Sequence, residues 1–371
     1  MISGYGATTL DKKGAFFNTL QEFHMYWDRI DIICPKIKDS QILERADFGF
    51  KSPFNNVFIH PSSWPLFFQP FWIYKRGLEI FRKVRFRVVV VHDYPPFYNG
   101  LGTLFLNLKI KIPYISEIFH IVGYPKSSNF KESLYKLTTF LFFPFISKRA
   151  SFIRVMNRVQ VPEFLRRAGI KDSRIRNIPA IYLDKDIFKD LKLDKVYDLI
   201  FVGRLAENKG LGMLLEIIKK SNFKVIIVGD GPMRDKLEVT LADFSIKDRV
   251  KLFGWAKDAQ DVARLINQSK ILIMSSFNEG GPRVVVEAMA CGVPVLASPV
   301  GIVPDLIEEG YPIALETWQT SELKDKIDQL LDDPVLYSNA VLKGKELAEK
   351  YDKKLAIKYY SDQIQSLIDH E

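Results

Sequence analysis

Residues 198–229 read DLIFVGRLAENKGLGMLLEIIKKSNFKVIIVG. A β-branched apolar run predicts a strand over 198–203, a Gly-containing turn ends it, and apolar residues at helical spacing predict a helix over 209–220. A second β-branched run then predicts a strand over 224–229. The alternation continues with strands over 249–253, 270–275 and 294–298, helices over 232–243, 258–268 and 282–291, and a helical tail. Alternation with short Gly-rich connections means a doubly wound parallel sheet. Upstream the theme repeats with strand candidates at Ile30–Cys34, Val88–His92 and Tyr114–Phe119, Pro113 marking entry to the last. The fold class expected is therefore α/β, two Rossmann-like doubly wound domains facing a central cleft, because open sheets of this kind bind ligands at the carboxyl ends of their strands. The boundaries expected are 1–180 for an acceptor-binding domain, 181–197 for a linker opened by Ile178-Pro179-Ala180, and 198–345 for a donor-binding domain. The tail over 346–371 is expected to pack back on the first domain. The opening Met1-Ile2-Ser3-Gly4-Tyr5-Gly6 leaves little room for a first strand, so that strand is either short or truncated.

Composition bounds the rest. With 371 residues, 47% hydrophobic and 26% charged, the chain has material for two buried cores and is not disordered. Cys34 and Cys291 lie far apart, outside any CxxC spacing, so a disulfide scaffold is excluded and a reducing, cytoplasmic compartment fits. No run resembles a signal peptide or approaches the roughly 18 apolar residues of a spanning helix. The net charge of +9 is uneven. Residues 1–180 hold 27 of the 53 Lys and Arg but 13 of the 44 Asp and Glu, a net +14, together with 22 of the 28 Phe. Positive charge with aromatic surface suits an anionic membrane or nucleic acid. No nucleic-acid module is spelled, so nucleic acid is not expected as a partner.

The chemistry concentrates in two stretches. In Glu279-Gly280-Gly281-Pro282-Arg283-Val284-Val285-Val286-Glu287, Pro282 suits a first helical position and the glycines precede a helix N-terminus, where bare N–H groups and the dipole can hold a phosphate. Glu287 lies about 7.5 Å further along the axis. A nucleoside diphosphate sugar spans that interval, with Glu287 on a ribose hydroxyl, the glycines on the diphosphate and Glu279 facing the sugar. An amphipathic helix with two solvated glutamates has the same spelling, so this stretch alone is not specific. In Gly203-Arg204-Leu205-Ala206-Glu207-Asn208-Lys209-Gly210, the loop leaves the carboxyl end of a strand and offers Arg204 and Lys209 to a diphosphate leaving group. A solvated basic loop is the plain alternative. The spelling of a Walker phosphate loop is absent, and Val228-Gly229-Asp230-Gly231-Pro232 reads as a tight turn at the same edge.

Taken together, FVGRLAENKG, VIIVGDGP, VKLFGW and SSFNEGGPRVVVEAMACGVPVLASPVGIVPDLI, within 198–310, resemble the nucleotide-sugar domain of group one glycosyltransferases. These are retaining enzymes of the GT-B fold, akin to glycogen synthase and phosphatidylinositol mannosyltransferase. The resemblance implies that Arg204 and Lys209 bind the diphosphate, Glu279 the donor sugar and Glu287 the ribose, with Gly203, Gly280 and Gly281 among the donor-binding residues. KKGAFFNTLQEF, VVVHDYPPFYNG and IPYISEIFHIVGYPK are similar, more loosely, to the acceptor domain, which puts His120 at the family's cleft histidine and among the catalytic residues. The chain departs from the family before the hinge, reading Ile178-Pro179-Ala180-Ile181-Tyr182-Leu183-Asp184 in place of the usual IPNG-and-Asp turn.

The resemblance implies same-face attack as the diphosphate departs, with no agreed protein nucleophile. Charge on the leaving group is then met by cations, Arg204 and Lys209, and neither a metal nor a cofactor is expected. Asp184-Lys185-Asp186 spells the DxD of metal-dependent transferases, but its place in the linker speaks against a metal. The partners expected are a nucleotide-sugar donor, a saccharide or lipid-linked acceptor and an anionic membrane face. The last would be met through Arg82-Lys83-Val84-Arg85-Phe86-Arg87, the stretch Leu137 to Ile146 with Lys148-Arg149, and aromatics from Phe54 to Trp72. A non-catalytic GT-B scaffold that binds nucleotide is the alternative.

Overall fold

The computed structural model describes residues 1–4, 15–37, 50–244 and 246–368. Tyr5-Gly6, the Lys12-Lys13-Gly14 opening of one family-like stretch and the last three residues lie outside the described residues. Two sheets organise the rest. The first holds β1 (Ile30–Cys34), β2 (Phe50–Lys51), β3 (Val57–Pro61), β4 (Val89–His92), β5 (Tyr114–Glu117), β6 (Phe152–Val155) and β7 (Ile175–Asn177). Its order is β2-β3-β1 and β4-β5-β6-β7, every pair parallel except β2 with β3. The second holds β8 (Tyr197–Val202), β9 (Val225–Val228), β10 (Val250–Gly254), β11 (Ser269–Met274) and β12 (Val295–Ala297), all parallel in the order β10-β9-β8-β11-β12. Helices occupy the crossovers between parallel strands, except the connection from β1 to β3, which carries β2. This is the doubly wound α/β architecture of the GT-B fold.

The short first strand shrinks to a single residue. Ile2 bridges Ile33 of β1 and Val91 of β4. Its N–H donates to the Val90 carbonyl at 2.8 Å and its carbonyl accepts from His92 at 2.9 Å, while the Met1 carbonyl accepts from Ile33 at 2.9 Å and the Ser3 N–H donates to the Ile33 carbonyl at 3.0 Å, so Met1–Ser3 weld the halves of the first sheet. Elsewhere the observed strands run within a residue or two of expectation. Pro282 is the one local correction: it caps the helix Arg283–Ala290 instead of occupying its first position. The strands β2, β3, β6 and β7 carry no clean apolar alternation. His60 interrupts β3 and Arg154 interrupts β6, each buried because a carboxylate answers it, Asp31 at 2.7 Å and Glu117 at 2.6 Å.

The second sheet has one large apolar core, with Leu199, Ile226, Leu272 and Val286 among its fully enclosed members. The helix Lys353–Gln365 leaves that half and lays Ile357, Tyr360 and Ile364 against Leu20, Phe23 and Ile30 of the other. Beneath it, Leu183 and the segment 351–353 exchange backbone bonds at 2.8 and 3.1 Å. Arg154 is fully buried at this junction. Its guanidinium donates to Glu117 at 2.6 Å, to the carbonyls of Ile178 and Pro179 at 2.8 Å each, and to the Tyr182 hydroxyl at 3.3 Å. The Tyr360 hydroxyl donates to the same Glu117 oxygen at 2.5 Å, and its ring lies 3.5 Å from the guanidinium carbon. Of the residues in which the hinge departs from the family turn, Tyr182 supplies a side-chain partner to Arg154.

Replacing Arg154 by Met would leave Glu117 buried without its cation, a loss of about 3–5 kcal/mol. Urea unfolding is the measurement. Tyr360→Phe removes one donor from the same carboxylate and should cost about 1–3 kcal/mol; equal stability of both variants with the parent would mean that the network holds nothing together.

Candidate functional site

The site is assembled where the loops after β8 and β11 meet. Beyond β8 the chain passes Gly203 and Arg204, turns through Glu207–Lys209 and enters the helix Leu211–Lys219. Gly210 makes the turn at φ +64°, and a Cβ there would stand 2.0 Å from the Ser275 carbonyl oxygen, so only glycine fits. Ser275 in turn donates from Oγ to the carbonyls of Lys209 and Gly210 at 3.0 and 3.1 Å. The Phe277 N–H donates to the Asn208 carbonyl at 2.8 Å. The two loops are stapled, and the staple aims Lys209 at Glu279. Lys209 Nζ donates to Glu279 Oε1, which also accepts from Ser276 Oγ at 3.0 Å. Both members of the pair are largely but not wholly enclosed.

The first sheet closes the other wall. His120 follows β5, and its Nε2–H donates to Asn278 Oδ1 at 3.1 Å. The Asn278 amide donates to the Lys126 carbonyl and to Glu132 Oε2, each at 2.9 Å. Lys126 lies over the rings of Phe277 and Trp318, and the Trp318 indole donates to the Ser276 carbonyl at 2.9 Å. Gly280 presses so closely on Phe119 and His120 that a Cβ would fall 2.3 Å from the Phe119 carbonyl oxygen. Its own carbonyl accepts from Asn157 at 3.3 Å. Burial holds the His120 pKa below its ordinary value, with the Glu279 carboxylate pulling the other way.

Of the residues singled out from the sequence, Lys209, Glu279, His120 and Gly280 thus converge. Arg204, Gly203 and Glu287 share no hydrogen bond or ion pair with these among the described residues. Arg204 is exposed, on the loop that carries Lys209. Glu287 is nearly enclosed on the helix Arg283–Ala290 and faces Arg283 at 3.5 Å, and its carboxylate accepts no hydrogen bond among the described residues. Burial raises its pKa, the mark of a carboxylate short of donors. The N–H groups of Gly280 and Gly281 likewise donate to nothing among the described residues. Of the DxD spelling, Asp184 accepts from the Asp186 N–H at 3.2 Å, and Lys185 is bound to Glu349 and Asp352 at the hinge. Ser276, Asn278 and Trp318 were missed by sequence reasoning. The first two stood as polar residues immediately before Glu279, a usable signal; Trp318 gave none.

With this geometry in view, comparison with known proteins is direct. Residues 184–351 match the family model for glycosyl transferases group 1. An uncharacterized glycosyltransferase of Methanocaldococcus jannaschii is 31% identical over 156 residues, 41% of this chain and 43% of its own. The chain therefore spans less than half the length of that relative. Sucrose-phosphate synthase of Thermosynechococcus elongatus is similar over 100% of this chain and 98% of its own, with a TM-score of 0.80 at 19% identity. The Anabaena protein HepE, solved with UDP and glucose, covers 98% of each chain with a TM-score of 0.72 at 16% identity. These structural likenesses extend the two-domain fold over residues 1–183, which the family model leaves uncovered.

The pairing across the cleft can be read by titration. His120 should titrate below pH 6.5, and lower again in Glu279→Gln, where a neighbouring negative charge is lost. Imidazole NMR shifts followed against pH report it; an upward move in the variant would show that Glu279 does not act on His120.

Proposed function

We propose that the chain is a retaining glycosyltransferase, moving a sugar from a nucleoside diphosphate donor to a saccharide or lipid-linked acceptor in cell-surface glycan synthesis, at the cytoplasmic face of a membrane and without a metal. One observation carries the reading: Glu279, bound by Lys209, is flanked by Asn278 and Gly280, and these two meet His120 from the other sheet in a single cleft site. The family match over 184–351, and the UDP and glucose in the HepE structure, support it.

The geometry divides the work. Glu279 spends Oε1 on Lys209 and Ser276, which leaves Oε2 for a sugar hydroxyl. An ammonium has three donors, so Lys209 can hold Glu279 and still meet a diphosphate oxygen. The N–H groups of Gly280 and Gly281 and the exposed Arg204 complete a cationic cradle, with Gly203 at the strand end beside it. The undonated Glu287 carboxylate accepts from the ribose. As the bond to the leaving diphosphate lengthens, negative charge grows on its oxygens and positive charge on the sugar. Cations fixed on the first favour the transition state over the ground state. His120, held by Asn278, stands on the acceptor side with a fixed Nε2–H.

Incubation with UDP-, GDP- and ADP-sugars, with NMR assignment of the product anomer, tests the reading; release of no sugar from any donor, or product of inverted configuration, overturns it. Glu287→Ala should weaken donor binding by about 1.5–3 kcal/mol, the contribution of a hydrogen bond to a charged acceptor. Calorimetry that finds the same affinity removes the ribose assignment. A chelator should leave turnover largely intact, since the leaving-group charge is met by side-chain cations; complete loss with rescue by magnesium would refute that.

A further inference from the structure

The helix Phe130–Ile146 packs Thr139, Phe143 and Ile146 inward, and its outer face is apolar too. Phe130, Leu134, Leu137, Leu141 and Phe145 recur at helical spacing as one stripe, between 47% and 84% exposed, with Phe142 beside them. A helix on the surface of a soluble domain turns polar residues to this side. The apolar surface does not stop there. The helix Tyr98–Ile110 lies between this helix and Gln69–Val84 and exposes Leu108. At the start of the latter, Phe67, Phe68 and Phe71 are exposed, Phe67 and Phe71 each 6.3 Å from a ring of the middle helix. Exposed apolar side chains of this number on three adjacent helices mark an interaction surface.

Charge identifies what covers it. Between Asp93 and Glu163 the only carboxylates are Glu117 and Glu132. Glu117 is buried on Arg154, and Glu132 is engaged by the Ser128 N–H and Asn278. Around the stripe stand Lys109, Lys111, Lys131, Lys148 and Arg149, all exposed. An apolar stripe rimmed by cations, with no free carboxylate, complements a surface that is anionic outside and apolar just beneath. An anionic bilayer has that structure, whereas nucleic acid offers no apolar layer for Phe and Leu. No helix among the described residues is long and apolar enough to cross a membrane, so the contact is along the surface.

We infer that the helix Phe130–Ile146 lies flat in the headgroup region of an anionic membrane, with Phe67, Phe68 and Phe71 as a second point of insertion. This narrows the docking face expected from the sequence, keeping its stretch Leu137 to Ile146, its Lys148-Arg149 and its Phe67, Phe68 and Phe71. Phe54 stacks on His24 at 4.5 Å, Phe58 lies under Arg29 at 4.0 Å and Trp64 packs on Trp72 at 5.9 Å, so those aromatics are half-buried against neighbours in the fold. The inference extends the membrane clause of the proposed function and is independent of its chemistry.

Co-sedimentation of the full chain with vesicles of phosphatidylcholine, alone or mixed with phosphatidylglycerol, tests it. The parent should pellet with the mixed vesicles only, and less in high salt. Leu134→Gln/Leu137→Gln/Leu141→Gln/Phe145→Gln should lower the apparent affinity at least about tenfold, since each buried Leu or Phe contributes substantially. Lys109→Glu/Lys131→Glu/Lys148→Glu alters only exposed side chains and should abolish the preference for anionic lipid, which keeps the test open if the first variant misfolds. Sugar release from free donor should be unchanged in the charge variant; a failure of the glycosyltransferase reading would appear there and not in the pellets. Parent protein that ignores anionic vesicles, variants that bind as well as the parent, or a parent dimer that the stripe variant dissolves without any lipid binding would each overturn the inference.

Discussion

A guanidinium cannot give up its charge at any pH a protein meets, so Arg154, enclosed on every side, must be answered by fixed partners. Those partners come from three places far apart in the chain: Glu117 at the end of β5, the hinge carbonyls and Tyr182, and Tyr360 on the last helix. One buried cation therefore fixes where the first sheet ends, how the hinge leaves it and where the terminal helix docks. The same group lines a cavity of about 550 Å³ together with His92, Tyr94 and Phe119, on the side of the cleft that belongs to the first sheet.

The second ion pair works differently because its surroundings differ. Arg154 and Glu117 are closed, each guanidinium nitrogen donating to protein. Lys209 and Glu279 remain partly open to solvent, and among the described residues one carboxylate oxygen and the neighbouring Gly280 and Gly281 N–H groups have no partner. A closed pair stabilises an arrangement, while an open one retains bonding capacity for something that arrives. The contrast distinguishes the candidate site from the scaffold without appeal to any relative.

Much of this was legible in the chain itself. The β-branched runs from Asp198 to Ala297 announce the second sheet, since parallel strands buried on both faces must be continuously apolar. The first sheet was half hidden because His60 and Arg154 break the pattern, and their justification lies in Asp31 and Glu117, distant in sequence. The single-residue bridge at Ile2 has no periodicity to detect. Glu279, Lys209 and His120 were legible one at a time, but not the bond between the first two, which are 70 residues apart. Nor was the anchoring of His120 by Asn278 across 158 residues. Local spelling reports which groups are available; only topology reports which of them meet.

The paired passage of residues 183 and 351–353 has a mechanical meaning. Two crossings bonded edge to edge form a ribbon, and a ribbon bends readily about the line across its width while resisting twist and shear. A movement of the halves that kept these bonds would be confined largely to bending about that line, like a door on a strip hinge. Such a movement would return the loop bearing Glu279 to the same register against His120, and alignment of the cleft walls would be a property of the hinge, not of the ligand.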